Sequence, residues 1–360
     1  MAVNPLSADL DHILLRTRPL WEELRGKRLF VTGGTGFFGC WLLESFAWAN
    51  ERLGLGAEML VLTRSLETFR KKAPHLTQHP DIQFHIGDVR DFTFPAGSFS
   101  HVIHAASEYI EKLNNKEHQL MLDTLVCGTR HTLDFAVRSG SKKFLLTSTG
   151  AVSGAQPPDM THITEDYASA SDVSVRDVGA PNDLELRVAH NRGKLDSEFL
   201  CAEYSPRHGI EAKIARCFTF VGPYLPLDKH FAIGNFIDDA LHGRCIQVRG
   251  DGTPFRSYLY AADLTAWLWT ILLRGANNRP YNVGSSQAVT IEETAKAVAR
   301  VIGKNTPVKI AQKPVPGRPA PRYVPNINRA VSELQLDQWT QLEDAIRATA
   351  AWHRHVAAAR

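Results

Sequence analysis

The chain has 360 residues, 44% of them hydrophobic, enough for a sizeable core and for one large domain with a smaller companion. Forty-one basic residues against 38 acidic ones leave a net charge of +3, and no basic run carries interleaved aromatics, which argues against a nucleic-acid partner. No stretch approaches the ~18 consecutive apolar residues of a membrane span. The N-terminus shows no basic-then-apolar leader, and Cys40, Cys127, Cys201, Cys217 and Cys245 form no C-x-x-C pair, as expected of reduced thiols in a cytoplasmic protein.

Residues 1–26 precede the first strand. Leu10, Ile13, Leu14, Trp21 and Leu24 predict helical segments broken near Pro19, an extension packed on the outside of the domain or at a subunit contact. The apolar run Leu29–Val31 then stops at Thr32 and gives way to Gly33, Gly36 and Gly39. Trp41, Leu42, Leu43, Phe46 and Ala47 follow with helical spacing. That order is buried strand, tight turn, helix. Gly33 suits the turn, Gly36 lets a ligand approach the main chain, and Gly39 lets the helix pack closely on the strand. The helix N-terminus offers free N–H groups to a pyrophosphate. A lone glycine turn would be a weak signal; flanked by strand and helix it predicts a dinucleotide site.

From Lys27 onward strands and helices alternate. Met59–Leu62, Ile82–Ile86, His101–Ala106, Lys143–Ser148 and Ala212–Phe218 read as strands, and the stretches 120–139 and 188–204 as helices. Near-continuous apolar strands alternating with helices predict an α/β fold, a Rossmann-type doubly wound parallel sheet, whose ligands bind beyond the strands' carboxyl ends. The expected division is a helical extension over 1–26 and an NAD(P)-binding domain over 27–220, with a returning segment over 257–285. A smaller α/β substrate-binding lobe takes 221–256 and 286–345, and a C-terminal helix or tail 346–360. The polar, proline-containing stretch 155–189 reads as a long loop over the site.

An acidic residue commonly follows the second strand to hold a ribose 2′-hydroxyl. Here the sequence is Thr63-Arg64-Ser65. A guanidinium at Arg64 suits a 2′-phosphate, which favours NADP over NAD. Asp88 and Val89 would sit beside the adenine, and Ala105 and Ala106 under the pyrophosphate.

The ordered set TGGTGFFG, GDVRD, HAAS, LLTSTGAVSG, RCFTFVGP, NFIDDAL, GDGTPFRSYLYAADL and YNVGSS resembles an extended short-chain dehydrogenase/reductase. More narrowly, it is similar to the NAD-dependent epimerase/dehydratase family acting on nucleotide sugars, over 27 to about 342. The resemblance implies that Gly33, Thr35, Gly36, Phe37, Phe38 and Gly39 form the cofactor loop. It also implies a cytoplasmic homodimer joined through the 120–139 and 188–204 helices.

The family mechanism uses a Ser or Thr after the fifth strand and a Y-x-x-x-K pair on the next helix, the tyrosine exchanging a hydroxyl proton while hydride moves. Matching on Gly154 puts Thr149 at the first position, and matching on Lys194-Leu195-Asp196-Ser197-Glu198 puts Lys194 at the lysine. The residue four before Lys194 is His190, not tyrosine, and no Y-x-x-x-K occurs elsewhere. Residues four apart share a helix face, so both would point into the site, and the nearby ammonium would keep the imidazole neutral and available as a base. Three readings stay open: His190 is the acid/base, another residue such as Tyr167 does that work, or the site binds dinucleotide and nucleotide sugar without turnover.

The family's 4,6-dehydratases carry Asp and Glu, and its decarboxylases Glu, where this chain has Gly150 and Ala151. Neither holds a proton. The expectation is therefore an epimerase or 4-ketoreductase, with a dehydratase using other acid/base residues, or a reductase of a small non-nucleotide ketone, as alternatives. Ser107, Thr219 (where the family has asparagine), Asn235, Arg256 and Arg322 are the implied contacts to a nucleotide-diphosphate sugar. His75 with His79 and His353 with His355 lack a third ligand at sensible spacing, so no metal is expected.

Overall fold

Leu29, Phe30 and Val31 are completely buried although successive strand residues point to opposite faces. Both faces of this strand must therefore be covered. Leu29 and Val31 join Met59, Val61, Ile103 and Leu145 in one core; Phe30 joins Leu60, Leu62, Val102, Phe144 and Leu146 in a second. The computed structural model describes residues 4–107, 115–167, 181–229, 231–303 and 306–358. In it, β1 (Arg28–Thr32), β2 (Glu58–Thr63), β3 (Ile82–Ile86), β4 (His101–His104), β5 (Lys143–Thr149), β6 (Glu211–Cys217) and a seventh strand, Pro280–Val283, form one sheet. The order is seventh strand, β6, β5, β4, β1, β2, β3, and every pairing is parallel. The chain reverses direction across the sheet between β1 and β4, which opens a crevice at their carboxyl ends.

Helix Phe37–Leu53 and helix Ala261–Arg274 cover the first core. The second helix is buried at nearly every position, as expected of a segment apolar all round. Residues 4–24 form the outer layer over it: Trp21 packs on Trp269 with ring centroids 4.7 Å apart, and Tyr260 donates to Asp9 at 2.8 Å. Leu133, Phe135 and Ala136 of helix Asn115–Arg138 and Leu200, Cys201 and Tyr204 of helix Pro181–His208 cover the second core.

Element ends differ from the sequence expectations in three places. The third long helix starts at Pro181 rather than 188, with proline at the first helical position where its missing N–H costs nothing. The fourth strand stops at His104, so Ala105–Ser107 leave the sheet as an open segment. The first long helix begins at Phe37, directly after Gly36. Part of the long stretch 155–189 lies outside the described residues.

Apart from the seventh strand, the described strands from Phe220 onward are short pairs: Phe220–Val221 with Leu259–Tyr260, Phe255–Arg256 with Val289–Thr290, and Ile246–Val248 with Val308–Ile310. Bridges Phe255–Arg322 and Ile163–Pro325 tie the 322–325 segment both to this region and to the segment after β5.

Candidate active site

The crevice is a cleft of about 260 Å³ at the ends of β1 to β4. Gly33, Thr35, Gly36, Arg64, Asp88, Val89, Ala105 and Ala106, expected at the cofactor, and Ser107, expected at the substrate, line it together with Thr32, Leu62, Thr63, Gly87 and Thr124. Gly33 has φ +71°, and a Cβ on it would lie 2.4 Å from the Ala105 carbonyl carbon. A Cβ on Gly39 would lie 2.3 Å from the Gly34 carbonyl carbon, so the helix can start this close only without a side chain. Gly36 has only the Gly33 oxygen, at 3.3 Å, near its missing Cβ, and it is exposed at the helix N-terminus. A main chain bare at that point fits a pyrophosphate. Phe37 and Phe38 do not line the cleft; Phe38 packs edge-on against Phe220 at 5.2 Å, leaving only main-chain groups of both for a ligand.

The cleft floor is pinned by hydroxyls. Thr32 Oγ1 lies 2.8 Å from His104 Nδ1 and accepts from the Ala106 N–H at 3.3 Å, while His104 Nε2 lies 3.1 Å from Thr129 Oγ1. Burial, with the Lys194 ammonium nearby, pushes His104 down to about 3, so it is a neutral strut at physiological pH. At the β3 end, Arg90 grips Asp88 with two parallel bonds of 2.8 and 3.0 Å. That bond is the main cause holding the Asp88 carboxyl below its ordinary range, with Arg64 adding to it. Arg64 itself is exposed at the rim.

The second face of the site surrounds the end of β5. Lys194 is buried and donates from Nζ to the Thr147 carbonyl at 2.8 Å. Burial pushes its ammonium down to about 8, with Glu198 pulling the other way. One turn earlier, half-buried His190 puts Nε2 3.3 Å from Ser107 Oγ, joining the helix to the cleft rim. Behind them Glu198 accepts from Ser148 Oγ at 2.5 Å and from the Arg216 fork at 2.8 to 3.3 Å. Glu198 is buried and Arg216 half-buried, and this carboxylate is fully occupied in holding the helix to β5 and β6.

Thr149 is half-buried, and its Oγ1 accepts from the Ala151 N–H at 3.3 Å. Its other neighbour is the Tyr323 hydroxyl, also at 3.3 Å, from a residue 174 positions away. Tyr167, considered for proton transfer on sequence, sits in the Thr164–Tyr167 turn. Of the two phenols it is Tyr323 that meets Thr149. No local signal marks Tyr323 in the sequence, because only the packing of the C-terminal segment brings it there. Gly150 is closed off: a Cβ on it would lie 2.2 Å from the Phe218 ring, which stacks on Tyr323 at 4.6 Å.

The four remaining expected substrate contacts lie apart from the cleft lining. Thr219 donates to the Ser257 carbonyl, Asn235 is half-buried on helix Ala232–Leu241, and Arg322 stacks its guanidinium 3.9 Å over the Phe255 ring. Arg256 donates to the Phe255 carbonyl at 2.8 Å. Arg256 and Arg322 thus flank Tyr323 on one ribbon. Among the described residues no three His, Cys, Asp or Glu side chains gather as a metal site, and His75 is paired with Glu44 at 2.7 Å. No described helix is long and apolar enough to cross a membrane.

Residues 29–284 match the model of the NAD dependent epimerase/dehydratase family. The chain is 29% identical over 320 residues to UDP-glucuronic acid decarboxylase 6 of Arabidopsis thaliana, covering 89% of this chain and 86% of that protein. It is 25% identical over 334 residues to UDP-glucuronic acid decarboxylase 1 of Xenopus tropicalis, covering 92% and 73%. Among solved structures, UDP-glucuronic acid 4-epimerase from Bacillus cereus, in complex with UDP-glucuronic acid and NAD, shares the fold with a TM-score of 0.74 at 20% identity, over 91% of this chain and 99% of that one. The dTDP-glucose 4,6-dehydratase of Bacillus anthracis, in complex with NAD, does so with a TM-score of 0.71 at 19% identity, over 91% and 97%. With the β1–glycine–helix cradle in place and the match running through most of the chain, the protein belongs to the NAD-dependent epimerase/dehydratase family.

Proposed function

We propose that this chain is an NAD(P)-dependent enzyme acting on a nucleotide-diphosphate sugar, an epimerase or 4-ketoreductase with Thr149, His190 and Lys194 at its reacting face. The observation that carries the reading is the buried Lys194, bonded to Thr147 two residues before Thr149 and one helical turn from His190, beside a glycine-built dinucleotide cleft. A nicotinamide held in that cleft supplies the acceptor or donor of hydride. The cradle's main chain and Thr35 hold the pyrophosphate, and Asp88 and Val89 flank the adenine. Lys194 holds the nicotinamide ribose, and His190 is the imidazole that takes and returns a hydroxyl proton. Arg64, with Arg90 pairing off the Asp88 charge, supports NADP over NAD. Ser107, Thr219, Asn235, Arg256 and Arg322 hold the nucleotide sugar.

A side chain at Gly150 would meet the Phe218 ring, which supports epimerase or ketoreductase chemistry over dehydration or decarboxylation. We place the enzyme in the cytoplasm as a homodimer; the 61% exposure of Phe199, on the helix that would pair, supports the second point.

The test is turnover of a panel of UDP- and dTDP-sugars and their 4-keto forms by the wild type and by His190→Ala. A loss of about 100-fold in kcat is expected for the variant. Unchanged turnover would remove His190 from the role. Dinucleotide that stays bound through purification points to the epimerase, and freely exchanging NADPH to the reductase.

A further inference from the structure

The helix that carries His190 and Lys194 lacks a tyrosine at the reacting face, yet a phenol reaches that face from elsewhere. Tyr323 is held by its own backbone, donating its N–H to the Phe255 carbonyl at 3.1 Å, while the next residue, Val324, donates to Gln156 Oε1 at 2.9 Å. Across the same seam the Ile163 N–H donates to the Val324 carbonyl at 2.9 Å and the Asn326 N–H donates to the Ile163 carbonyl at 2.8 Å. The ring stacks on Phe218, so its direction is fixed. Its hydroxyl lies 3.3 Å from Thr149 Oγ1 and 3.5 Å from the Cys217 carbonyl. Separations of this size are long for O–H···O bonds, and such bonds in ligand-free sites commonly tighten on substrate binding.

We propose that Tyr323 is a second proton donor of this site, beside His190, acting through the Thr149 hydroxyl on the oxygen of a sugar ketone. The step rests on the reading of the chain as a nucleotide-sugar ketoreductase or epimerase. As hydride from a reduced nicotinamide reaches the carbonyl carbon, the C=O π pair moves to oxygen. That oxygen takes the Thr149 Oγ1 proton, and Thr149 takes the Tyr323 proton. The phenolate left behind recovers its proton from water once the product has left the site. The groups facing the phenol divide. Burial is the dominant effect, and with the buried Cys217 it pushes Tyr323 up to about 12. Thr149, Arg256 and the Ala151 N–H act in the opposite direction. The phenol therefore remains protonated at neutral pH, and the phenolate formed in the step has three groups ready to stabilise it. His190 then works from the other side, at Ser107.

The experiment compares wild type, Tyr323→Phe and Thr149→Val for reduction of a 4-keto UDP-sugar by NADPH, with dinucleotide affinity followed by NADPH fluorescence. Tyr323→Phe is expected to lose about 100-fold in kcat with unchanged NADPH affinity; a kcat within about threefold of wild type overturns the proposal. A second readout needs no turnover: ultraviolet titration of phenolate in the NADP-bound protein. One phenolate should be missing in Tyr323→Phe and should titrate at higher pH in Thr149→Val. An identical titration in Thr149→Val and wild type means that the two hydroxyls are not coupled and overturns the proposal. A wild type that shows the coupling but reduces no nucleotide sugar refutes the substrate reading and leaves the hydroxyl pair standing.

Discussion

The two halves of the site are built in different ways. The dinucleotide cradle is one continuous stretch, Gly33 to Gly39, whose function resides in backbone shape and in what glycine leaves out. The half we propose to handle protons is assembled from four distant segments: Ser107 after β4, Thr149 ending β5, His190 with Lys194 on the third long helix, and Tyr323 from the C-terminal part. The turn tolerates almost no substitution at Gly33 and Gly39, where an added Cβ meets main chain at 2.4 and 2.3 Å. A site assembled from side chains can exchange one group for another supplied by a different element. This contrast explains how the cradle is intact while the usual tyrosine is absent.

The sharpest test of the contrast is Gly33→Val. It forces a branched side chain into φ +71° and against the Ala105 carbonyl, and should cost about 3 kcal/mol or more with loss of dinucleotide binding. Urea unfolding and NADPH fluorescence titration measure both. A variant that keeps wild-type stability breaks the idea that the cradle is steric in origin.

Gly150→Asp comes next. It places the dehydratase-type acid beside Thr149, but its Cβ would lie 2.2 Å from the Phe218 ring. We expect about 2 kcal/mol of destabilisation and no gain of dehydration. Detectable 4,6-dehydration, read from ultraviolet absorbance of the keto product, would show that the aromatic wall gives way and that the proton-handling half is more plastic than the stacking suggests.

Arg64→Ala probes the boundary between the halves. NADP affinity should fall about tenfold while NAD affinity holds, as for loss of one charge-assisted phosphate contact. Equal losses for both dinucleotides would assign Arg64 to the adenine instead.

The smallest expected effect lies behind the cradle. Glu44, buried, accepts from Tyr224 at 2.6 Å and from His75 at 2.7 Å. The Glu44 bond holds the His75 imidazolium above its usual 6.5. A folded-state value raised above the unfolded one stabilises the protein below pH 6.5, and this contribution disappears as pH rises through the folded value. Because the His75 side chain is 54% exposed, solvent screens the pair and His75→Ala should cost only about 0.5 kcal/mol at pH 5.5. At pH 9 that charge-dependent cost should vanish. A gap that does not change with pH would assign the loss to packing alone.

The fold class and the strand–glycine–helix turn were legible from the residues alone, because each is written locally. Apolar runs of strand length, a 3.6-residue period and a glycine spacing are all features of neighbouring residues. The sequence also exposed the His190 departure, which needs only the four-residue offset to Lys194. Other features were beyond its reach. Phe37 and Phe38 were expected in the cofactor loop, yet their rings turn into the packing, because side-chain direction at a helix start depends on what faces it. Arg90's grip on Asp88 and the Thr32–His104–Thr129 strut depend on rotamers and on the distance between strands. Tyr323 depends on still more: its approach to Thr149 comes from the seam between 156–163 and 322–326, which closes only when the C-terminal segment packs back against the sheet. Contacts between residues adjacent in sequence follow from local geometry, whereas a contact spanning 174 residues exists only when the whole chain has folded.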